Sequence, residues 1–311
     1  LPLNQYPATC FRKTIIMEKS TCAILLFLLS SARCSLQLDC ADIKEYNQDQ
    51  PWTEDLAVEW IDTMIACHKG IDSNQILLLA VTRGLLKVVT ILLERGEDVN
   101  ATHANSGWTA LMLAALVGNK DIAALLIEKG ANINAVNNKG RTPLMYTAKY
   151  GSKEIADLLI EGGADINAVD NHGYTAVMHM AQFGAKEIVD LLLNAFDDLD
   201  VNAKNANGDT ALILAIKAGH NGVAASLLEY LFIDDDVKDK NGLTALMHAA
   251  KTGNDAIADL ITDIGVADIN AKDNDGKTAL MYAVSNRSLD IASLLIEEGA
   301  DISAKNFRQG W

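Results

Sequence analysis

Apolar side chains recur along this chain in short bursts, each split by a glycine and followed by a polar stretch. Residues 140–170, GRTPLMYTAKYGSKEIADLLIEGGADINAVD, give the pattern in full. Thr142 reads as a helix N-cap and Pro143 fits the first turn, where a missing N–H costs nothing. Leu144, Met145 and Ala148 fall at helical spacing over a short helix ending near Gly151, a residue able to take the left-handed conformation that stops a helix. A second helix carries Ile155, Leu158 and Leu159 at i, i+3 and i+4, so one stripe is apolar. It stops at Gly162-Gly163, and Asp165, Asn167, Asp170 and Asn171 are turn formers. The predicted unit is helix, turn, helix, polar hairpin-like loop.

Six Gly-x-Thr signatures place this unit in register. They begin at Gly107, Gly140, Gly173, Gly208, Gly242 and Gly276, with gaps of 33, 33, 35, 34 and 34 residues. A period near 33 predicts a stack of modules, each burying its apolar face against its neighbours. Such a stack offers a long surface rather than a preformed catalytic cleft.

The pieces GRTPLM at 140, GNKDIAALLIEKGANINA at 118–135 and LLIEGGADINAVDNHGYTAVM at 158–178 resemble the ankyrin repeat. The resemblance covers residues 74–311 and includes an inter-helix glycine at 84, 118, 151, 184, 219 and 253. It implies an all-α solenoid with repeats at 74–106, 107–139, 140–172, 173–207, 208–241, 242–275 and 276–309. It also implies a non-catalytic module that binds another protein through loop tips and the concave helix-1 face.

Departures from the family pattern carry their own expectations. Met112, Met145, Met178, Met247 and Met281 stand where the family's helix-1 histidine is usual, which predicts a softer seam and the loss of a polar bridge to the loop. Residues 74–106 lack the Gly-x-Thr opening and read as a degenerate first repeat. The loops 194–202 and 229–240 break the Gly-Ala-Asp-x-Asn-Ala pattern, which predicts bending or loosening there.

Both ends are unusual. Met17 opens MEKSTCAILLFLLSSARCS, with Lys19, an apolar run from Ala23 to Leu29 and a small-x-small site at Ala32-Arg33-Cys34. That reads as a leader over 1–34, a secretory signal peptide too short to span a membrane, and it implies a secreted or lumenal/periplasmic protein. A buried apolar segment in a cytoplasmic protein is the rival reading. Residues 35–73 form an N-terminal strip and a capping helix from about Thr53, with Leu56, Trp60, Ile61, Met64 and Ile65 on one side. At the other end Gly310-Trp311 opens a further repeat. A closing hairpin and a longer parent protein are both compatible with it, and the apolar Leu294, Leu295 and Ile296 favour the longer parent.

Half the residues are hydrophobic and the formal charge is −15. After residue 34 the balance is 22 basic against 40 acidic side chains, which argues against nucleic acid and anionic membranes and favours a basic partner. All five cysteines precede residue 68. Without the leader, Cys40 and Cys67 remain, either one disulfide or two buried thiols. The sequons at Asn100 and Asn286 are glycosylation acceptors in a eukaryotic secretory pathway.

The six histidines form no metal set at usual ligand spacing, the Asp197–Asn202 run lacks an EF-hand's glycine and distal glutamate, that run and Asp234–Asp236 read as solvated loop tips, and no phosphate loop or nucleophile elbow occurs. No cofactor, metal or catalytic residue is predicted. Recognition positions carried over from the resemblance are Trp108, Arg141, Tyr174, Asp209, Leu243 and Lys277 after the loop glycines. At the helix-1 ends they are Leu116, Lys149, Tyr150, Gln182, Phe183, Lys217 and Lys251. Trp108, Tyr150, Tyr174 and Phe183 read as binding anchors, because large aromatics dominate interface hot spots. The expected partner is another protein, held by a monomer or by a subunit of a complex. Rival readings are the ankyrin region of a larger toxin or enzyme and an intracellular scaffold.

Overall fold

The computed structural model describes residues 73–150, 152–230, 233–265 and 267–307. The leader, the strip with its capping helix, Cys40, Cys67 and Gly310-Trp311 lie outside the described residues. Two compact units meet between Asn138 and Lys139. The first holds α1 (Ser73–Thr82), α2 (Leu86–Glu94), α3 (Ala110–Val117) and α4 (Lys120–Glu128). The second holds α5 (Pro143–Thr147), α6 (Lys153–Glu161), α7 (Ala176–Phe183), α8 (Lys186–Ala195), α9 (Ala211–Ala218), α10 (Asn221–Leu228), α11 (Ala245–Thr252), α12 (Asp255–Ile264), α13 (Ala279–Asn286) and α14 (Leu289–Glu297). Each is an all-α repeat array of paired helices. Among the described residues the loops carry no strand beyond an isolated antiparallel bridge between Thr102 and Thr109.

The threonine of each signature starts the first helix. Thr109, Thr175, Thr210, Thr244 and Thr278 are extended, and each Oγ1 accepts the N–H three residues on, at 3.3–3.5 Å. Thr142 departs from the expectation: its backbone is extended, but its side chain makes no cap bond, and α5 spans only five residues behind Pro143. The first helices end on left-handed Gly118, Gly184, Gly219 and Gly253, while Arg287 holds the same place at φ 59°.

First helices are buried almost all round, as Ala110–Leu116 in α3 illustrates, and their alanines let neighbours approach closely. Met112, Met145, Met178 and Met247 are buried too. Second helices bury only a stripe, such as Ile155, Ala156 and Leu159 in α6 or Ile188, Val189 and Leu192 in α8. Each fully buried leucine contributes roughly 1.5–3 kcal/mol. At the C-terminal end Val284, Leu289, Ile296, Ile302 and Phe307 stand exposed.

Successive loops are laced together at one-repeat intervals. The N–H groups of Asn171, Ala206, Lys240, Asn274 and Phe307 donate to the carbonyls of Lys139, His172, Asn207, Asn241 and Asp275. Gly208 shows how closely the loops approach: its φ is +77°, and a Cβ there would lie 2.8 Å from the Lys240 nitrogen. At the loop tips, Asn167 Oδ1 accepts from Asp200 N, Asn202 Oδ1 from Asp234 N, Asp236 from Asp268 N and Asn270 Oδ1 from Asp301 N. This ladder runs through both irregular loops, which corrects the expected loosening. Leu199 and Val201 are buried, and Tyr230 Oη donates to the Phe196 carbonyl at 3.3 Å.

Candidate functional site

Loop carboxylates and first-helix side chains meet in a repeated pair, nine residues apart. Asp170 Oδ1 accepts the N–H groups of His172 and Tyr174, which aims Oδ2 at the helix. There His179 Nε2 approaches it at 3.1 Å and Arg141 Nε donates at 3.1 Å. Asp239 repeats the arrangement, accepting from Asn241 and Leu243 and meeting His248 Nε2 at 3.1 Å. Asp273 does the same with Tyr282, whose hydroxyl donates at 2.5 Å. In three of the five methionine-bearing repeats the polar bridge to the loop is therefore kept. It moves one residue along the helix, from the Met178, Met247 and Met281 positions to His179, His248 and Tyr282.

Burial pushes the Asp170 carboxyl up, but the Tyr174 and His172 amides, Arg141 and His179 outweigh it, and its pKa is lowered. Asp239 is lowered in the same way, burial being overcome by the Leu243 and Asn241 amides and by His248. Both histidines are lowered, chiefly by burial, with the positive charges of Arg141 near His179 and Lys217 near His248 adding to it. They are neutral beside ionised carboxylates, so each proton sits on Nε2 and is donated. Burial and Asp273 raise the Tyr282 pKa.

Where the loop residue is Asn205, the residue nine positions on is Leu214. Asn205 Oδ1 accepts the Asn207 and Asp209 amides, and its Nδ2 is buried without a partner. Leu214 has no proton to donate to a carboxylate at that place.

The predicted recognition residues divide. Tyr150 and Phe183 are exposed, at 57% and 50%. Tyr174 is half-buried and stacks on His179, with ring centroids 5.1 Å apart. Arg141 is committed to Asp170, and Lys277 lies over the Tyr282 ring at 5.5 Å. Trp108, in the first unit, is half-buried. Asp209 and Leu243 correct the expectation: both are buried, Asp209 because Lys217 closes on it and Leu243 because its side chain is apolar. Neither offers a side chain to a partner. Asn100 donates to the Gly130 carbonyl and accepts from Asn132 N, a loop-ladder role, whereas exposed Asn286 donates from Nδ2 to Ser288 Oγ at 3.0 Å.

Asp209, Asp239 and His248, scattered in sequence, bring ligand-type atoms within 4.8 Å of one another. The position is already served by Lys217, which pairs with Asp209 and lies 3.5 Å from Asp239, so an ammonium supplies the positive charge a metal would bring. Nothing in sequence flagged this cluster, although the eight-residue interval from Asp209 to Lys217 is a local signal for part of it.

In the acidic loop Asp235 is buried with Oδ2 unpartnered, and burial, Asp236 and Asp234 raise its pKa. Among the described residues no helix is long and apolar enough to cross a membrane.

A family model described as Ankyrin repeats (3 copies) matches residues 77–170, 163–235 and 225–306. The chain is 42% identical over 57 residues to the rat ankyrin repeat and SAM domain-containing protein 6, covering 18% of this chain and 6% of that protein. It is 38% identical over 73 residues to the human mitochondrial disaggregase, covering 23% and 10%. A putative ankyrin repeat protein L91 of Acanthamoeba polyphaga mimivirus is 44% identical over 69 residues, covering 19% and 11%. The chain thus spans about a tenth or less of these relatives' lengths. Repeated helix pairs, threonine caps, laced loops and a family match over most of the sequence together establish that the chain belongs to the ankyrin repeat family.

Proposed function

We propose that the chain is a non-catalytic protein-binding module that uses its loop tips and the face of its first helices. The observation that carries this reading is the exposure of Tyr150 and Phe183, equivalent residues at the ends of adjacent first helices, in a chain only 5% aromatic. Exposed rings on a backbone held by buried helices lose little entropy when a partner covers them. The titratable groups support the same reading: His179 and His248 are locked to carboxylates and serve packing. Benzoylphenylalanine installed at 150 or 183 is expected to crosslink one discrete partner in cells, while the same group at Glu161 on α6 does not. Equal labelling from all three positions would defeat the proposal.

A second reading draws on the relatives' much greater length: the array serves a longer polypeptide that carries another activity. The intact mass of the native protein decides it. The signal-like segment supports a secreted or lumenal protein, and N-terminal sequencing of the mature chain, with the redox state of Cys40 and Cys67, tests that.

A further inference from the structure

Charge in the second unit is sorted by helix layer. The second helices α6, α8, α10, α12 and α14 hold ten acidic side chains against two lysines, Lys153 and Lys186. The first helices α5, α7, α9, α11 and α13 hold no acid at all; their charged residues are Lys217 and Lys251, with Lys149 just past the end of α5. The carboxylates that reach this face come from the loops and lie buried beneath it: Asp170, Asp209, Asp239 and Asp273, engaged by Arg141, Lys217, His179, His248 and Tyr282. Of the cations left over, Lys277 is half-buried. Lys149 and Lys251 are exposed, and Lys149, Lys251 and Lys277 contact aromatic rings at 5.2, 5.8 and 5.5 Å instead of carboxylates.

We infer that the first-helix face of this unit takes an extended acidic segment of another protein, with an apolar side chain seated at Tyr150 and Phe183 and carboxylates at Lys149, Lys251 and Lys277. This rests on the protein-binding reading and narrows it to the first-helix face, leaving the acidic loop tips out of the contact. The overall charge points to a basic partner, but that charge belongs to the outer helices and loop tips, away from the rings. Lys149 and Lys251 occupy equivalent positions three repeats apart. At about 8–10 Å between packed helices the span is roughly 25–30 Å, which about nine extended residues cover. The excess of acid on the second helices also disfavours such a segment there, since like charges repel. Nucleic acid shares the anionic character, but its continuous phosphate charge would run against the acidic loop tips.

Selection of random twelve-residue peptides displayed on phage against the folded chain tests the inference. The expected winners are net acidic and contain a large apolar residue. Their affinity should fall about tenfold or more in Lys149→Glu/Lys251→Glu and in Tyr150→Ala/Phe183→Ala, variants at exposed positions whose melting curves should match the parent. Binding to the parent should also weaken as salt rises, a readout that needs no variant. Basic winners would overturn the acidic assignment and leave the protein-binding reading standing. Failure of any peptide to enrich would overturn the inference, while crosslinking from 150 or 183 decides the protein-binding reading separately. Tighter capture of a labelled oligouridylate than of any selected peptide would overturn the inference in favour of nucleic acid.

Discussion

Asp235 stands where neighbouring loops carry Ile166 and Val201, all three buried, and it brings a carboxyl with an unpartnered oxygen into that place. Its pKa is raised, so the fold holds its proton more tightly than the unfolded chain does. The group is harmless below the ordinary value of 3.8 and costs stability as pH rises through its folded pKa. Asp235→Val should therefore stabilise the protein at pH 7 by about 1–3 kcal/mol, with the gain shrinking toward acid. Urea midpoints of the two proteins across pH would show a gap widening upward, and a constant gap would count against this account. Arg287 is a second local misfit, the one non-glycine with positive φ among the described residues. The other six repeats place glycine there, and Arg287→Gly should raise stability by about 1 kcal/mol, read as a higher melting temperature.

At the scale of the helix pair, the loop residue and the helix residue nine positions later behave as one unit. Asp170 with His179, Asp239 with His248 and Asp273 with Tyr282 are matched acceptor and donor; Asn205 with Leu214 is an unmatched amide. Asn205→Asp alone should destabilise, because it buries a charge opposite leucine. Adding Leu214→His should recover the loss, with a coupling of about 1 kcal/mol or more in a double-mutant cycle. Additive effects would show that the pair is not a unit. The helices themselves were readable in sequence, since cap threonine, apolar stripe and stop glycine are local signals. Thr142 warns that even a sound cap residue need not make its bond. Tertiary surroundings were the illegible part: Gly-x-Thr gives Asp209 and Lys277 the same register, yet Lys217 draws Asp209 under while Lys277 lies across Tyr282. Likewise, no periodicity says that Lys217 reaches the Asp239 carboxylate at the far end of its own repeat.

For the molecule as a whole, the period fixed the architecture in advance, while its chemistry emerged only when repeats were set side by side. The neutral, buried histidines make stability sensitive to acid. Both have pKa values lowered below 6.5, so the unfolded chain gains protons first, and stability is complete above that pH and falls below it. Two such groups give a limiting slope of about 2.7 kcal/mol per pH unit. Asp170 and Asp239, lowered from 3.8, extend the loss further into acid. His179→Gln/His248→Gln keeps a donor for each carboxylate but removes the titration, and its urea midpoint should vary less between pH 7.5 and 5. An undiminished slope would place the acid sensitivity elsewhere.

The tip amides clasp only the next tip: Asn167 meets Asp200, Asn202 meets Asp234, Asp236 meets Asp268 and Asn270 meets Asp301. Every clasp is the same backbone N–H gripped by an Asn or Asp side chain, so the partners are interchangeable. Excising one whole period, residues 208–241, would bring Asn202 opposite Asp268 with the fastening intact. The ribbon can thus be shortened or lengthened in whole links, as a bracelet is, while a cut of half a link would leave two clasps with nothing to hold.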